Sequence, residues 1–149
     1  QLAVDLARLQ VRGSGRAAAG PRKERAVSRE RVLVVDDSET TRSILVEVLR
    51  RAGFSVLEAR DGVEALDLLG EEKFELIVSD LEMPNMNGLE FLEKIRDESS
   101  PYASLPFLLF TSRDDTRSFQ KAYLLGADRC LSKAHFQEAE FLGLVEELL

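Results

Sequence analysis

The chain lacks the features that mark several classes of protein. It holds one cysteine, Cys130, among 149 residues, which excludes an internal disulfide and a cysteine metal cluster. No apolar stretch approaches the roughly 18 residues that a membrane span needs, and no signal-peptide pattern is present. These absences fit a reducing cytoplasm, which is the location that we expect. The chain does not begin with methionine, so we expect it to be a piece of a longer protein.

Charge is distributed unevenly along the chain. Residues 1–31 carry a net charge of +5, whereas residues 32–149 carry a net charge of −12. An acidic body argues against nucleic-acid binding by the domain itself. The basic stretch is typical of a solvated linker, although contact with nucleic acid or a membrane surface stays open. We expect residues 1–30 to be a leader, or the tail of a preceding domain, and residues 31–149 to be one folded domain.

Four short apolar runs end in polar side chains. Arg31–Asp37 ends in two acids, Phe74–Asp80 in one acid and Leu105–Thr111 in a hydroxyl, while a shorter run leads to Lys133. Runs this short and apolar are typical of strands buried on both faces, and the helical patterns between them predict a parallel sheet. Ligands of such sheets bind outside the carboxyl ends of the strands. We therefore expect five side chains to meet at one edge: Asp36, Asp37, Asp80, Thr111 and Lys133.

A strand–helix unit repeats five times from residue 31, which predicts a three-layer, doubly wound α/β fold. Strands are predicted near 31–36, 54–59, 75–80, 105–110 and 128–132. The first predicted helix follows Ser38 and has an apolar face of Ile44, Leu45, Val48 and Leu49. The second begins at a capping-box pattern formed by Asp61 and Glu64 and ends near Gly70. The other three are predicted through Phe91 to about Glu98, over 114–125 and over 136–149. Gly53 and Gly126 suit left-handed helix ends. The fifth strand is the least apolar, so we place it at an edge.

Three carboxylates at one edge require a compensating charge. Like charges about 4 Å apart repel by roughly 4 kcal/mol at an effective dielectric constant near 20. A helix N-terminus offsets only about 0.3–1 kcal/mol. A cation can do more, and Mg²⁺ bound through oxygen, with one or two carboxylates and an open coordination face, is the cofactor that we expect.

Taken singly, each of these side chains has an ordinary interpretation. Asp80 alone is more often a capping or loop acid, Thr111 alone suits the cap of the next helix, and Lys133 alone is usually a solvated surface lysine. Together they match the electrostatics of phosphoryl transfer, which needs a metal, a positioned cation and a nucleophile. A carboxylate such as that of Asp80 can attack a phosphoryl group to give an aspartyl phosphate.

At these residues the chain resembles the receiver domain of two-component response regulators. The matching segments are Val-Val-Asp36-Asp37-Ser, Val-Ser-Asp80-Leu-Glu-Met-Pro84 with Asn87-Gly88, Phe-Thr111-Ser112, and Gly126-Ala-Asp-Arg-Cys-Leu-Ser-Lys133. The resemblance implies a flavodoxin-like sheet of order 2-1-3-4-5 and a phosphoacceptor, Asp80, that receives its phosphoryl group from a histidine kinase. It also implies that Mg²⁺ is held by Asp36, Asp37, Asp80 and the backbone carbonyl of Glu82, and that Thr111 and Lys133 contact the phosphoryl group.

The sequence departs from the family in three places. Cys130 stands where the family often has an aromatic residue, so an aromatic rotamer switch is in doubt. Ala134 stands where the family usually has a proline after a cis bond, and a cis bond before a residue other than proline costs about 3–4 kcal/mol, so we expect a trans bond. Glu82 places a charge two residues after the acceptor, where it can change the dephosphorylation rate in either direction.

The remaining expectations concern partners and alternative functions. The ending after Lys133 looks like that of receivers fused to chemotaxis-type histidine kinases, and the segment from Leu2 to Gln10 looks faintly like the closing strand of the coupling domain that precedes such receivers. His135 is more often a polar residue at a helix start than a phosphorelay histidine. An apolar face left over on the last helix would be a dimer or partner surface. Two other functions stay open: a docking module of the same fold that needs no phosphorylation, and a metal-dependent phosphohydrolase with Glu82 as its second acid.

Overall fold

A computed structural model describes residues 30–149, and the expectations for the leader fall on residues that lie almost wholly outside this range. Arg31–Leu149 forms one compact unit. The sheet consists of β1 (Arg31–Val35), β2 (Ser55–Ala59), β3 (Leu76–Ser79), β4 (Phe107–Thr111) and β5 (Arg129–Ser132). The helices are α1 (Glu39–Arg51), α2 (Gly62–Glu71), α3 (Gly88–Arg96), α4 (Thr116–Leu125) and α5 (Glu138–Leu148), with a short 3₁₀ turn at Lys133–His135.

The sheet is parallel throughout and its strands are ordered β2-β1-β3-β4-β5. The predicted doubly wound fold and strand order are confirmed, and β5 does lie at an edge. In register, Val35 lies beside Ser79, and Thr111 lies beside Ser132. The residues that follow these strands therefore leave the sheet at one edge. None of the helices in residues 30–149 has the length and apolar character that crossing a membrane requires.

Two apolar cores cover the two faces of the sheet because successive side chains of a strand point to opposite faces. Leu33 and Val35 of β1 pack with side chains of α2, α3 and α4. Val32 and Val34 pack instead with side chains of α1 and α5. The three central strands, β1, β3 and β4, are buried on both faces, which explains why they are nearly continuous apolar runs in the sequence.

Helix ends follow the predicted chemistry with one exception. The Ser38 hydroxyl accepts from Thr41 N and caps α1, and Gly53 and Gly126 have φ of 103° and 112° at the ends of α1 and α4. At α2 the capping box is only half formed. Asp61 accepts from Glu64 N, but the Glu64 carboxylate accepts from Arg60 N instead of the capping residue.

The predicted apolar face of α1 needs a correction. Ile44 is 48% exposed, whereas Val46 is buried with Leu45, Val48 and Leu49. At about 100° per residue, the stripe formed by these four buried side chains is centred roughly 120° from Ile44. The helix buries the valine on one flank of the stripe and leaves the isoleucine on the other flank in solvent.

Element boundaries shift by one to three residues from their predicted positions. β4 begins at Phe107 because Pro106 has no N–H to donate, although its carbonyl accepts from Ile77 N. The last helix begins at Glu138 rather than 136, because Lys133–His135 first forms the 3₁₀ turn. The bond between Lys133 and Ala134 is trans, as expected, since the described residues contain no cis peptide bond.

Candidate functional site

Three carboxylates meet where β1 and β3 leave the sheet. Asp36 and Asp80 each follow one of these adjacent strands, and ladder-type hydrogen bonds fix their backbones: Asp36 N donates to Ala59 O at 3.0 Å and Asp80 N donates to Val35 O at 2.8 Å. Oxygens of Asp36, Asp37 and Asp80 all lie within 4.8 Å of one another. The predicted convergence of these acids is therefore what the fold produces.

The acidic cluster carries more negative charge than the protein neutralises. Asp36 is 1% exposed, and its Oδ1 accepts from Ser38 N at 2.8 Å. Its Oδ2 lies 2.8 Å from Lys133 Nζ, with which it forms a close ion pair. Buried carboxylates are costly unless cations compensate them, and this one ammonium faces three carboxylates. Hard oxygen donors with an excess of negative charge, including the exposed carboxylate of Asp37, fit a divalent ion such as Mg²⁺.

Lys133 bridges two of the acids from the far end of the sheet. Its Nζ lies 2.8 Å from Asp36 Oδ2 and donates to Asp80 Oδ2 at 3.1 Å, and the side chain is 18% exposed. Burial acts to lower the pKa of this ammonium, but the contacts with Asp36 and Asp80 outweigh burial, so the pKa is raised. Lys133 is therefore a fixed positive charge at neutral pH.

The predicted phosphoacceptor is strained electrostatically. Burial and then the charge of Asp36 raise the pKa of Asp80, against the lowering effects of Lys133 and of the Leu81 N–H, which donates to Oδ1 at 2.7 Å. Because the folded pKa lies above the unfolded one, this group favours folding only at acid pH. That contribution is lost as the pH rises past the unfolded value near 3.9 towards the folded value. The ionised carboxylate thus costs stability at neutral pH.

We predict that Asp80→Asn stabilises the protein when no divalent cation is present. The amide keeps the shape and the Oδ1 acceptor for Leu81 N and removes the charge that repels Asp36, and we expect this relief to outweigh the loss of the Oδ2 atom that accepts from Lys133. Replacing a strained functional residue commonly adds about 0.5–2 kcal/mol to the free energy of unfolding. Urea denaturation in EDTA at pH 7 measures this gain, and the gain should shrink as the pH falls through the raised folded pKa of Asp80 and the wild-type carboxylate becomes protonated. An unchanged or lower midpoint at pH 7 would contradict the electrostatic account.

Thr111 lies at the same edge, at the end of β4, and is fully buried. Its Oγ1 accepts from Arg113 N at 3.0 Å, so the hydroxyl oxygen is engaged with the loop that follows it. The structure therefore places Thr111 where the sequence predicts, beside the strand that carries Asp80. The hydrogen bond to Arg113 ties the position of this side chain to the β4–α4 loop, residues 112–115.

Glu82 forms an ion pair that the sequence analysis missed. Arg113 Nη1 donates to Glu82 Oε2 at 2.5 Å, and both side chains are more than half exposed. Each residue stands two positions after a site residue, Asp80 or Thr111, on adjacent strands of the sheet. Opposite charges that each stand two residues after a predicted site residue, at the ends of neighbouring parallel strands, are the signal that could have predicted this pair.

Two further residues support the site without being predicted. Arg42 Nη1 donates to the backbone carbonyl of Asp36 at 2.8 Å, and its Nε donates to Glu58 at 2.9 Å, which ties the end of β1 to β2. Gly88 lies against the backbone of Asp80, because a Cβ at this position would stand 2.2 Å from the carbonyl oxygen of Asp80. In the sequence, Gly88 stands out only as part of a segment that resembles the receiver family, and no role was predicted for it.

Cys130 and His135 have ordinary surroundings. The backbone N–H of Cys130 donates to the hydroxyl of Tyr123 in α4. An aromatic side chain from α4 therefore reaches position 130, where the receiver family often has an aromatic residue of its own. Burial raises the pKa of the Cys130 thiol to about 11, so the thiol stays protonated at neutral pH and is a poor nucleophile. His135 lies exposed in the 3₁₀ turn, as expected of a polar residue before a helix.

Residues 32–146 match the model of the response regulator receiver domain. The chain belongs to this family. A probable chemotaxis protein CheY from Rhizobium etli is 34% identical over 104 residues, which cover 69% of this chain and 80% of the relative. Sensor protein EvgS from Escherichia coli is 35% identical over 102 residues, which cover 68% of this chain. The crystal structure of chemotaxis response regulator CheY4 of Vibrio cholerae superposes with a TM-score of 0.74 at 34% identity, covering 81% of this chain and 99% of CheY4.

Family membership settles the general role of the domain. Receiver domains are signalling phosphoacceptors of two-component systems rather than enzymes with a turnover substrate, so the phosphohydrolase interpretation is set aside. The receiver spans about half the length of several curated response regulators and 8% of EvgS. The activity of any longer protein that contains this receiver is therefore a separate matter from the chemistry of its pocket.

Proposed function

We propose that this receiver is phosphorylated on Asp80 from a histidine kinase in the presence of Mg²⁺, and that the phosphoryl group switches an interaction with a kinase or another protein. The observation that carries this proposal is the convergence of Asp36, Asp37 and Asp80 with Lys133 at one edge of the sheet. Asp80 stands at the centre of the cluster, with one oxygen hydrogen-bonded to Leu81 N and the other to Lys133.

The side chains divide the chemistry among themselves. An oxygen of Asp80 attacks the phosphorus of a phosphohistidine, the bond from phosphorus to the imidazole nitrogen breaks, and the imidazole leaves. Asp36, Asp37, Asp80 and the backbone carbonyl of Glu82 would hold Mg²⁺, which supplies positive charge to the phosphoryl oxygens when bound. The ammonium of Lys133 is already charged and close to Asp80, so it neutralises part of the negative charge of the aspartyl phosphate that forms there.

Thr111 connects the phosphoryl group to the rest of the molecule. Its hydroxyl turns from the Arg113 N–H towards a phosphoryl oxygen, and the β4–α4 loop moves with it. Movement of this loop displaces α4, whose exposed face carries Leu124, 87% exposed, and Tyr123, 46% exposed. The proposed partner or dimer surface is this face together with β5 and α5, and phosphorylation biases its conformation.

Intact-mass spectrometry with a small phosphodonor tests the proposal. Wild-type protein incubated with Mg²⁺ and acetyl phosphate should gain one group of about 80 Da, and EDTA should prevent the gain. Asp80→Asn should gain nothing. Glu82→Gln, which changes an exposed carboxylate while keeping the backbone carbonyl, is a matched control that should still be modified. A wild-type spectrum without the adduct, or an adduct on Asp80→Asn, would refute the assignment.

We further propose that the receiver belongs to a longer chain of the hybrid type, in which a histidine kinase and a receiver are fused. Similarity to a segment of Sensor protein EvgS supports this placement. Phosphotransfer from a purified histidine kinase domain of the same parent chain to this receiver, faster than to Asp80→Asn and faster than from an unrelated kinase, is the result that we expect.

A phosphorylation-independent docking module is the competing function. The exposure of Leu124 and Tyr123 on α4 favours it, since large apolar side chains in contact with water commonly mark binding surfaces. Partner affinity distinguishes the two functions. A switch changes its affinity when acetyl phosphate and Mg²⁺ are added, whereas a docking module does not.

A further inference from the structure

A chain of hydrogen bonds joins the two loops that flank the phosphoacceptor pocket. Ser132, the last residue of β5, donates its hydroxyl proton to Asp114 Oδ2 at 2.7 Å. Asp114 belongs to the β4–α4 loop, while Ser132 directly precedes Lys133. The pair thus connects the loop that follows Thr111 with the turn that carries the lysine of the site.

The direction of the Ser132 hydroxyl is set by its own turn. Ala134 N donates to Ser132 Oγ at 3.1 Å, and this bond begins the 3₁₀ turn at Lys133–His135. A hydroxyl has one proton to donate and accepts through its lone pairs. With Ala134 N–H on the acceptor side, the proton of Ser132 points to Asp114 Oδ2 at 2.7 Å, a charged and much closer acceptor than His135 Nδ1 at 3.4 Å. A proline at position 134 has no N–H and could not make this arrangement.

The loop held by Ser132 is the one that has to move. Thr111 Oγ1 accepts from Arg113 N, one residue before Asp114, so the threonine and the held segment form a single short stretch of chain. Turning the Thr111 hydroxyl towards Asp80 displaces this stretch, and the bond between Ser132 and Asp114 opposes the displacement. The ion pair between Arg113 and Glu82 holds the same loop on its other side.

We propose that Ser132 is a positioning residue whose hydrogen bond to Asp114 latches the β4–α4 loop in its unphosphorylated arrangement and thereby slows phosphorylation of Asp80. The inference rests on the proposed function for its kinetic part. Because the bond joins a hydroxyl to a charged carboxylate at a solvent-exposed position, its loss changes the loop equilibrium by about threefold to tenfold.

Four single variants separate the latch from a merely structural role. Ser132→Ala and Asp114→Ala remove the bond, whereas Ser132→Thr keeps a hydroxyl and Asp114→Asn keeps an oxygen acceptor. With acetyl phosphate and Mg²⁺, the two alanine variants should be phosphorylated about three to ten times faster than wild type, and the two conservative variants should stay within about twofold of it. The double alanine variant should match either single one, because both changes break one bond.

Amide hydrogen exchange of the unphosphorylated protein gives a second readout that needs no phosphoryl chemistry. Ser132→Ala should raise the exchange rate of the Arg113 N–H by about threefold to tenfold, since it releases the loop that holds this group against Thr111 Oγ1, and Ser132→Thr should not. Unchanged exchange in Ser132→Ala, alanine variants that are no faster than wild type, or a threonine variant that behaves like the alanine variant would each overturn the latch. Wild-type protein that takes no phosphoryl group contradicts the proposed function and the kinetic role together, whereas unchanged exchange contradicts the latch alone.

Discussion

Gly88→Ala is expected to lower the free energy of unfolding by about 3 kcal/mol, at the upper end of the usual cost of overpacking. A Cβ on residue 88 would stand 2.2 Å from the carbonyl oxygen of Asp80 and 2.9 Å from the Cα of Leu81. Both atoms belong to the backbone, so no side-chain rotation relieves the contact. The N–H of Gly88 also donates to Leu81 O at 2.7 Å, and the displacement would break this bond.

Gly143→Ala is the matched control because it makes the same chemical change inside a helix. A Cβ at Gly143 meets nothing within 4 Å, so alanine should stabilise α5 by about 0.5–1 kcal/mol. Urea unfolding of the two variants at pH 7 should therefore shift in opposite directions. Equal shifts would show that the contact with the Asp80 backbone is not what requires glycine at position 88.

The displacement in Gly88→Ala should also reach the site. The atom that the new methyl group would strike is the backbone oxygen of Asp80, the proposed phosphoacceptor, and Leu81 N, one residue on, donates to Asp80 Oδ1. A shift of this backbone moves the nucleophile relative to Asp36 and Lys133. Phosphorylation with acetyl phosphate should be slower in Gly88→Ala than in wild type, while Gly143→Ala should leave the rate unchanged.

The fold could be predicted because the sheet is buried on both faces. Val32 and Val34 face one core, Leu33 and Val35 face the other, and a strand in this situation must be an uninterrupted apolar run. The glycines at 53 and 126 mark helix ends by the positive φ that they adopt. The exposure of Ile44 could not be predicted, because it depends on how the helix is rotated about its own axis against the sheet. Helix propensity and apolar periodicity leave this rotation uncertain by about a third of a turn.

The acids of the site could be predicted because each follows directly on a strand, and the topology fixes where strands end. Arg42 could not be found in the same way, since its long side chain crosses from α1 to the end of β1 and to β2. The role of Gly88 depends on a close approach of two backbone segments eight residues apart, which the sequence pattern does not show. The connection from Ser132 to Asp114 needed the trans geometry and the free N–H of Ala134.

Lys133→Met is expected to destabilise the protein by about 3 kcal/mol at pH 7 in EDTA, in the range seen when one partner of a buried ion pair is removed. Methionine fills a similar volume without the charge. Asp36 at 1% exposure and Asp80 at 6% exposure would then face each other without a cation, and Asp36 Oδ2 would have lost its one close ion-pair partner among the described residues. Lys121→Met, which changes an exposed lysine of α4, should stay within about 0.5 kcal/mol of wild type.

Two titrations identify the cause of this loss. Because the pKa of Lys133 is raised on folding, its ammonium gives its full stabilisation to the fold at every pH below the unfolded pKa near 10.4. This stabilisation disappears only as the pH rises through the folded pKa. At acid pH the partners of Lys133 decide the outcome: the deficit of Lys133→Met should shrink as the pH falls through the raised folded pKa of Asp80 and this carboxylate takes up a proton. Mg²⁺ should restore more stability to Lys133→Met than to wild type, because in the variant no ammonium competes for the same carboxylates. A deficit that is constant with pH and indifferent to Mg²⁺ would mean that Lys133 stabilises the fold by packing, and the electrostatic account of the pocket would then fail.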